Sequence, residues 1–244
     1  MDKNIGAFFD IDGTLYRGSL MIEHFKKLIK YEVIDPMYGQ YNVKKTYDEW
    51  KKRTGEFDDY MDTLGEIYIS SIKGLNKKQL DFITEQVISL KGEQVYSYVR
   101  DRIEFHKENG HKVFFISGSP DFLVEKMAEK YGVTEFIGTS YLIDDSGFFT
   151  GEIKPMWDSE NKNRSINQLI DRYNIDLDAS FAYGDTNGDL SMLSRMGNPI
   201  AINPNYELLL QLKKDPILSQ KTTIIVERKD VVYQLKADVA IISK

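Results

Sequence analysis

Phe8-Phe9-Asp10-Ile11-Asp12-Gly13-Thr14 is the stretch on which the reading of this chain turns. The apolar run 5–9 stops abruptly at two carboxylates spaced two residues apart. Aromatic and β-branched residues that end at Asp and Gly have the character of a short buried strand. Asp10 and Asp12 then fall where that strand runs out. In a continuing strand they share a face, and in a loop they converge on one ligand. Such a pair suits nucleophilic and acid–base work, one carboxylate attacking and the other moving a proton. An ordinary acidic loop is the plain alternative.

Two further apolar runs have the same character, 113–116 and 180–183. Each is followed by polar residues and then by helical spacing: Phe122, Val124, Met127 and Ala128 after the second run, and Leu190, Met192 and Leu193 after the third. Strand, loop and helix in repetition predict an α/β fold with a Rossmann-like, doubly wound parallel sheet, whose ligands sit beyond the carboxyl ends of the strands.

Between the first and second runs no comparable strand is found. The spacing of Met21, Phe25, Leu28 and Ile29, of Tyr60, Leu64, Ile67 and Tyr68, and of Leu80, Ile83, Val87 and Ile88 is helical. Residues 17–95 therefore read as a small α-helical cap inserted after the first strand, with 1–16 and 96–244 forming the catalytic core. A helix over 98–109 returns to the core and stops at Gly110. Residues 141–150 read as a hairpin, and the segment after Tyr206 as a helix, a strand at 222–226 and a tail.

Ser117-Gly118-Ser119-Pro120 follows the second strand, so a hydroxyl and a glycine N–H precede a helix. Such a turn can donate to phosphate oxygens, and it serves equally well as a plain turn with an N-cap. Lys162 lies ahead of the helical pattern Ile166, Leu169 and Ile170. A lysine at a helix start opposes the dipole, which hints at pairing with phosphate and a carboxylate; solvated surface is the alternative, and Lys154 is the competing residue. Gly184-Asp185-Thr186-Asn187-Gly188-Asp189 sets two carboxylates four residues apart beyond the third strand. All-oxygen ligation suits Mg²⁺, whereas an EF-hand needs more acidic residues and a closing Glu; a bland acidic turn stays open.

The net charge of −6, from 38 acidic and 32 basic residues mixed along the chain, argues against nucleic acid, whose footprint is a concentrated basic patch. With no Cys, thiolate chemistry and disulfides are excluded. No apolar run approaches the roughly 20 residues that span a bilayer, so the expectation is a cytoplasmic protein without membrane contact.

Asp10, Ser117, Lys162 and Asp185, in this order and at strand-to-loop positions, resemble the four-motif signature of the haloacid dehalogenase (HAD) superfamily. More narrowly they resemble its phosphoserine phosphatase-like subgroup, subfamily IB, over 4–14 and 98–204. The resemblance implies a Mg²⁺-dependent phosphatase acting on a small phosphorylated metabolite. Asp10 is then the nucleophile that forms an aspartyl-phosphate, and Asp12 the general acid/base. Ser117 and the Gly118 N–H bind phosphoryl oxygens, and Lys162 neutralises charge at phosphate and at Asp10. The Asp10 carboxylate, the Asp12 carbonyl and Asp185 hold the metal, with Asp189 in support. A phosphotransferase or phosphomutase, or a catalytically silent phosphate-binding module, are the other readings, and the oligomeric state is open.

The chain departs from that subgroup in two places. Ser19 stands where a cap-entry Glu recognises a substrate amino group, with Glu23 four residues on, and Gly188 rather than Asn precedes Asp189, leaving Asn187 as a substitute. Arg53, the cap aromatics Tyr31, Tyr38, Tyr41, Tyr47, Trp50 and Phe57, and Pro155-Met156-Trp157 are candidates for substrate contact, with packing or surface placement as the alternative. His24, His106 and His111 have no ligand spacing.

Overall fold

Phe8 and Phe9, adjacent in the first strand, belong to different cores. Successive strand side chains point to opposite faces, so two consecutive buried aromatics require a sheet covered on both sides. The computed structural model, which describes residues 3–35, 37, 40–157 and 159–242, has that arrangement.

β1 (Gly6–Phe9) is followed by four helices, α1 (Leu20–Lys30), α2 (Gln40–Lys51), α3 (Phe57–Ile72) and α4 (Lys77–Lys91). Next come α5 (Ser97–Glu108), β2 (Lys112–Pro120), α6 (Asp121–Tyr131), β3 (Glu135–Ile143), β4 (Phe149–Lys154) and α7 (Ser159–Tyr173). β5 (Phe181–Gly184), a 3-10 turn at Asn187–Asp189, α8 (Leu190–Arg195), β6 (Asn198–Ile202), α9 (Tyr206–Lys214), α10 (Pro216–Lys221), β7 (Thr223–Arg228) and β8 (Val231–Lys236) complete the described elements. The strands form one sheet in the order β4-β3-β2-β1-β5-β6-β7-β8. The six inner strands are parallel, and β4 and β8 pair antiparallel at the edges.

From β1 the chain winds outward through β2 and β3, then crosses to β5 and winds the other way. The crevice beyond the carboxyl ends of β1 and β5 is thus the switch point where open α/β sheets take their ligands. One face of the sheet is covered by α5 and α6, against which α1, α3 and α4 also pack, and the other by α7 to α10.

Local chemistry sets the ends of these helices. The Ser19 side chain accepts from Ile22 N and starts α1, the Asn76 side chain accepts from Lys78 N and starts α4, and Gly132 at φ 62° ends α6. His24 then ties three helices together: its ring meets the Tyr68 hydroxyl of α3 at 2.8 Å and Thr84 Oγ1 of α4 at 3.2 Å. Burial lowers its pKa to about 4, so it is a neutral structural ring. His106 is likewise buried, against Tyr183 and His111.

Three expectations change. The segment at 117–120 is not a turn: β2 runs on to Pro120 in extended conformation, and Ser119 is not the cap of α6. The stretch after 226 is not a tail, because β8 pairs along all six residues of β7. The 141–150 hairpin is the end of a longer β3, whose first half pairs parallel with β2.

Candidate active site

The carboxyl ends of β1, β2 and β5 stand side by side, and each delivers polar residues to one cavity of about 690 Å³. Asp10 leaves β1 buried, its N–H held by the Tyr183 carbonyl at 3.0 Å. The chain then turns back sharply: Leu15 and Tyr16 both donate to the Ile11 carbonyl, and Gly13 takes φ 84°. A Cβ on Gly13 lies 2.1 Å from an Asp185 carboxylate oxygen, so both the backbone angle and the close approach require glycine there. Thr14 Oγ1 donates to Asp185 Oδ1 at 2.9 Å and fixes that carboxylate against the β1 loop.

Asp12 points elsewhere. Ser119 Oγ donates to its Oδ2 at 2.6 Å and Leu20 N to its Oδ1 at 3.1 Å. Burial raises its pKa, and these two hydrogen bonds, with one from Ser19, pull it back. A carboxyl poised above its usual range, with a hydroxyl fixing its orientation, has the properties of a general acid. The sequence gives no sign of this role for Ser119, because Ser-Gly-Ser-Pro reads equally well as a capped turn.

Lys162, in the first turn of α7, reaches Asp189 Oδ1 at 2.6 Å and Asp10 Oδ1 at 3.5 Å and is buried. Burial opposes its charge, yet Asp189 and then Asp10 hold its pKa above the ordinary lysine range. Asp189 is wholly buried and bound on both oxygens, since Oδ2 accepts from the N–H groups of Asp185 and Thr186 at 3.1 Å each. It therefore brackets the Asp185 loop and anchors the lysine.

One carboxylate oxygen from each of Asp10, Asp185 and Asp189 lies within 4.8 Å of the others. Burial, followed by the charge of Asp189, pushes Asp10 well above the carboxylate range, and burial with Asp10 and Asp189 does the same to Asp185. Lys162 is the cation at this cluster and leaves negative charge uncompensated. A small divalent cation fits such an all-oxygen set and favours the ionised forms of both acids.

Ser117, Gly118, Asn187 and Gly188 also line the cavity. Gly118 lets Trp157 approach, since a Cβ there lies 3.1 Å from Trp157 Cβ. Lys154 is exposed at the end of β4 and is absent from the lining. Ser19 is the α1 cap, and Glu23 pairs with Lys26 and Lys91. Arg53 is exposed and does not line the cavity. Tyr47, Trp50, Phe57 and Tyr60 pack together between α2 and α3, with Trp50 stacked on Tyr60 at 5.9 Å. Of these four only Phe57 reaches the cavity, as does Trp157. Tyr31 is exposed under Lys27. Tyr38 and the Tyr41 side chain lie outside the described residues.

A doubly wound sheet with buried carboxylates, a lysine and a hydroxyl at its switch point defines a hydrolase class that works on phosphate esters. The haloacid dehalogenase-like hydrolase family model matches residues 7–194. The chain is 26% identical to the phosphoserine phosphatase SerB1 of Mycobacterium tuberculosis, covering 85% of this chain and 68% of that protein. It is 24% identical to a histidinol-phosphatase of Neisseria meningitidis, covering 90% and 100%. A Bordetella pertussis protein of unknown function shares the fold, with TM-score 0.71 and 19% identity over 87% of this chain and 96% of that one. The chain belongs to the haloacid dehalogenase-like hydrolase family, as a phosphatase of the phosphoserine phosphatase-like kind. Among its described residues, no helix is long and apolar enough to cross a membrane.

Proposed function

We propose that this phosphatase hydrolyses a small phosphomonoester through an aspartyl-phosphate on Asp10, with Mg²⁺ as cofactor. The observation that carries the reading is the position of Asp10, which faces the cavity at the switch point with the Lys162 ammonium 3.5 Å away and a carboxylate cluster beside it.

Asp10 Oδ attacks phosphorus and the bond from phosphorus to the ester oxygen breaks. Asp12, in its protonated form, which burial favours, gives its proton to the departing alkoxide, which leaves as the alcohol. Water then attacks the phosphorus of the aspartyl-phosphate while the Asp12 carboxylate takes a proton from it. The bond between Asp10 and phosphorus breaks, inorganic phosphate departs and both carboxyls return to their starting states. Ser117 and the Gly118 N–H hold phosphoryl oxygens, and Lys162 offsets charge on phosphate and on Asp10. The Asp10 carboxylate, the Asp12 carbonyl and Asp185 would hold Mg²⁺, which would supply charge neutralisation and orientation for the transferring group. The helices of 17–95 act as the cap, closing the cavity from the side opposite the sheet.

The test is to trap the intermediate. Acid-quenched mass spectrometry after brief exposure to a phosphomonoester should find a phosphoryl group on the peptide containing Asp10, and none in Asp10→Asn. A turning-over enzyme that never carries phosphate on that peptide would rule out this mechanism.

A further inference from the structure

The cavity is not uniform in charge. At its sheet end Lys162 meets Asp10, whereas the wall supplied by α3 carries Asp62 and Glu66, and α9 adds Glu207. Among the described lining residues Lys162 is the one cation, and it is already engaged by Asp189 and Asp10. Asp62 and Glu66 have no ion-pair partner among the described residues.

Two features of α3 are locally unfavourable. Like charges four residues apart on one helix face repel, and here no counterion offsets them. Gly65, between them, weakens the helix interior, yet a Cβ added there meets nothing within 4 Å. Packing within the protein therefore does not require that glycine; it leaves open space in the cavity wall between the two carboxylates. Phe57 and Trp157, both partly exposed, line the same cavity and add apolar surface for a ligand. Local rules broken together at a cavity wall, without a structural return, mark a ligand contact.

Resting on the phosphatase reading above, we infer that Asp62 and Glu66 select the leaving group, and that the substrate is a phosphomonoester whose alcohol carries a positive charge on a partly apolar body, such as a protonated or quaternary amine. The phosphate end meets Lys162 and the cation end meets the α3 carboxylates, with the aromatic rings between. A zwitterionic amino-acid alcohol fits less well, because no described cation at the α3 end receives its carboxylate.

The experiment compares Mg²⁺-dependent phosphate release from phosphocholine and phosphoethanolamine, from ethyl and propyl phosphate, from phosphoserine and from 3-phosphoglycerate. The native chain should favour the cationic esters over the neutral ones by roughly tenfold or more in kcat/KM, with a KM that rises more steeply with ionic strength for the cationic esters. In the double variant Asp62→Asn/Glu66→Gln the ratio of cationic to neutral kcat/KM should fall by about tenfold, and Glu66→Lys should shift preference toward the anionic ester. These exchanges lie on exposed helix positions, the Asn and Gln exchanges keep side-chain size, and circular dichroism confirms folding. Release from neutral and cationic esters alike, or an unchanged ratio in the double variant, overturns this inference and leaves the phosphatase reading standing. No release from any ester, including an aryl phosphate, overturns both.

Discussion

The Lys162 ammonium donates to the wholly buried carboxylate of Asp189 at 2.6 Å, closer than it stands to Asp10. One Asp189 oxygen thus holds the lysine beside Asp10 while the other holds the Asp185 loop. Asp189→Asn removes the closest partner of the lysine while Asp10 and Asp185 still offset its charge, so it should cost activity more than stability. Asp189→Asn should lose most phosphate release and keep a cooperative urea transition. Full activity in that variant would mean that Asp189 does not position the lysine.

Asp10 and Asp185 are both pushed up by burial and by neighbouring negative charge, so a divalent cation should stabilise the fold. At a hundredfold excess over its Kd, Mg²⁺ should add about 2.7 kcal/mol, seen as a rise of several degrees in Tm that EDTA reverses. Asp185→Asn should show much less of that rise.

Ser119 donates to Asp12 and so stabilises its ionised form. Ser119→Ala should raise the Asp12 pKa further. Because Asp12 must be protonated to act as acid, the alkaline limb of kcat/KM against pH should move upward. A downward shift, or none, would mean that another group sets that limb.

Much of this was legible in the sequence. Asp10, Asp12 and Asp185 stood out because an abrupt change from apolar to acidic at a strand end is visible in a linear string, whereas Ser117 and Lys162 were singled out through the family resemblance; the fold brings all five to one region. β8 was not, since all six of its residues are exposed and its edge position imposes no alternation of buried and solvated residues. Ser119 was hidden because a serine before proline reads as a turn, and its partner Asp12 is 107 residues away. Asp62 and Glu66 were hidden for a different reason: acidic residues on a helix are ordinary, and only the fold places this face over the cavity.

His24 gives a stability prediction independent of catalysis. Its pKa is lowered by burial from 6.5 to about 4, so the unfolded chain takes up its proton first as pH falls. The stabilisation is complete above pH 6.5 and is lost as pH drops toward 4. Between pH 7 and pH 5 this residue should account for roughly 2 kcal/mol of lost stability. Burial lowers His106 and His111 as well, so the contribution is read as the difference between the native chain and His24→Gln. Equal pH slopes in the two would show that His24 is not held neutral.

Phosphate release with and without Mg²⁺, from the native chain and from Asp10→Asn, decides whether Asp10 and a metal carry the reaction. Metal-dependent release is expected from at least one small phosphomonoester, with its loss in Asp10→Asn by a factor of a thousand or more, on the order of what a missing nucleophile costs. Release that persists in Asp10→Asn, or that proceeds equally well in EDTA, would contradict this mechanism.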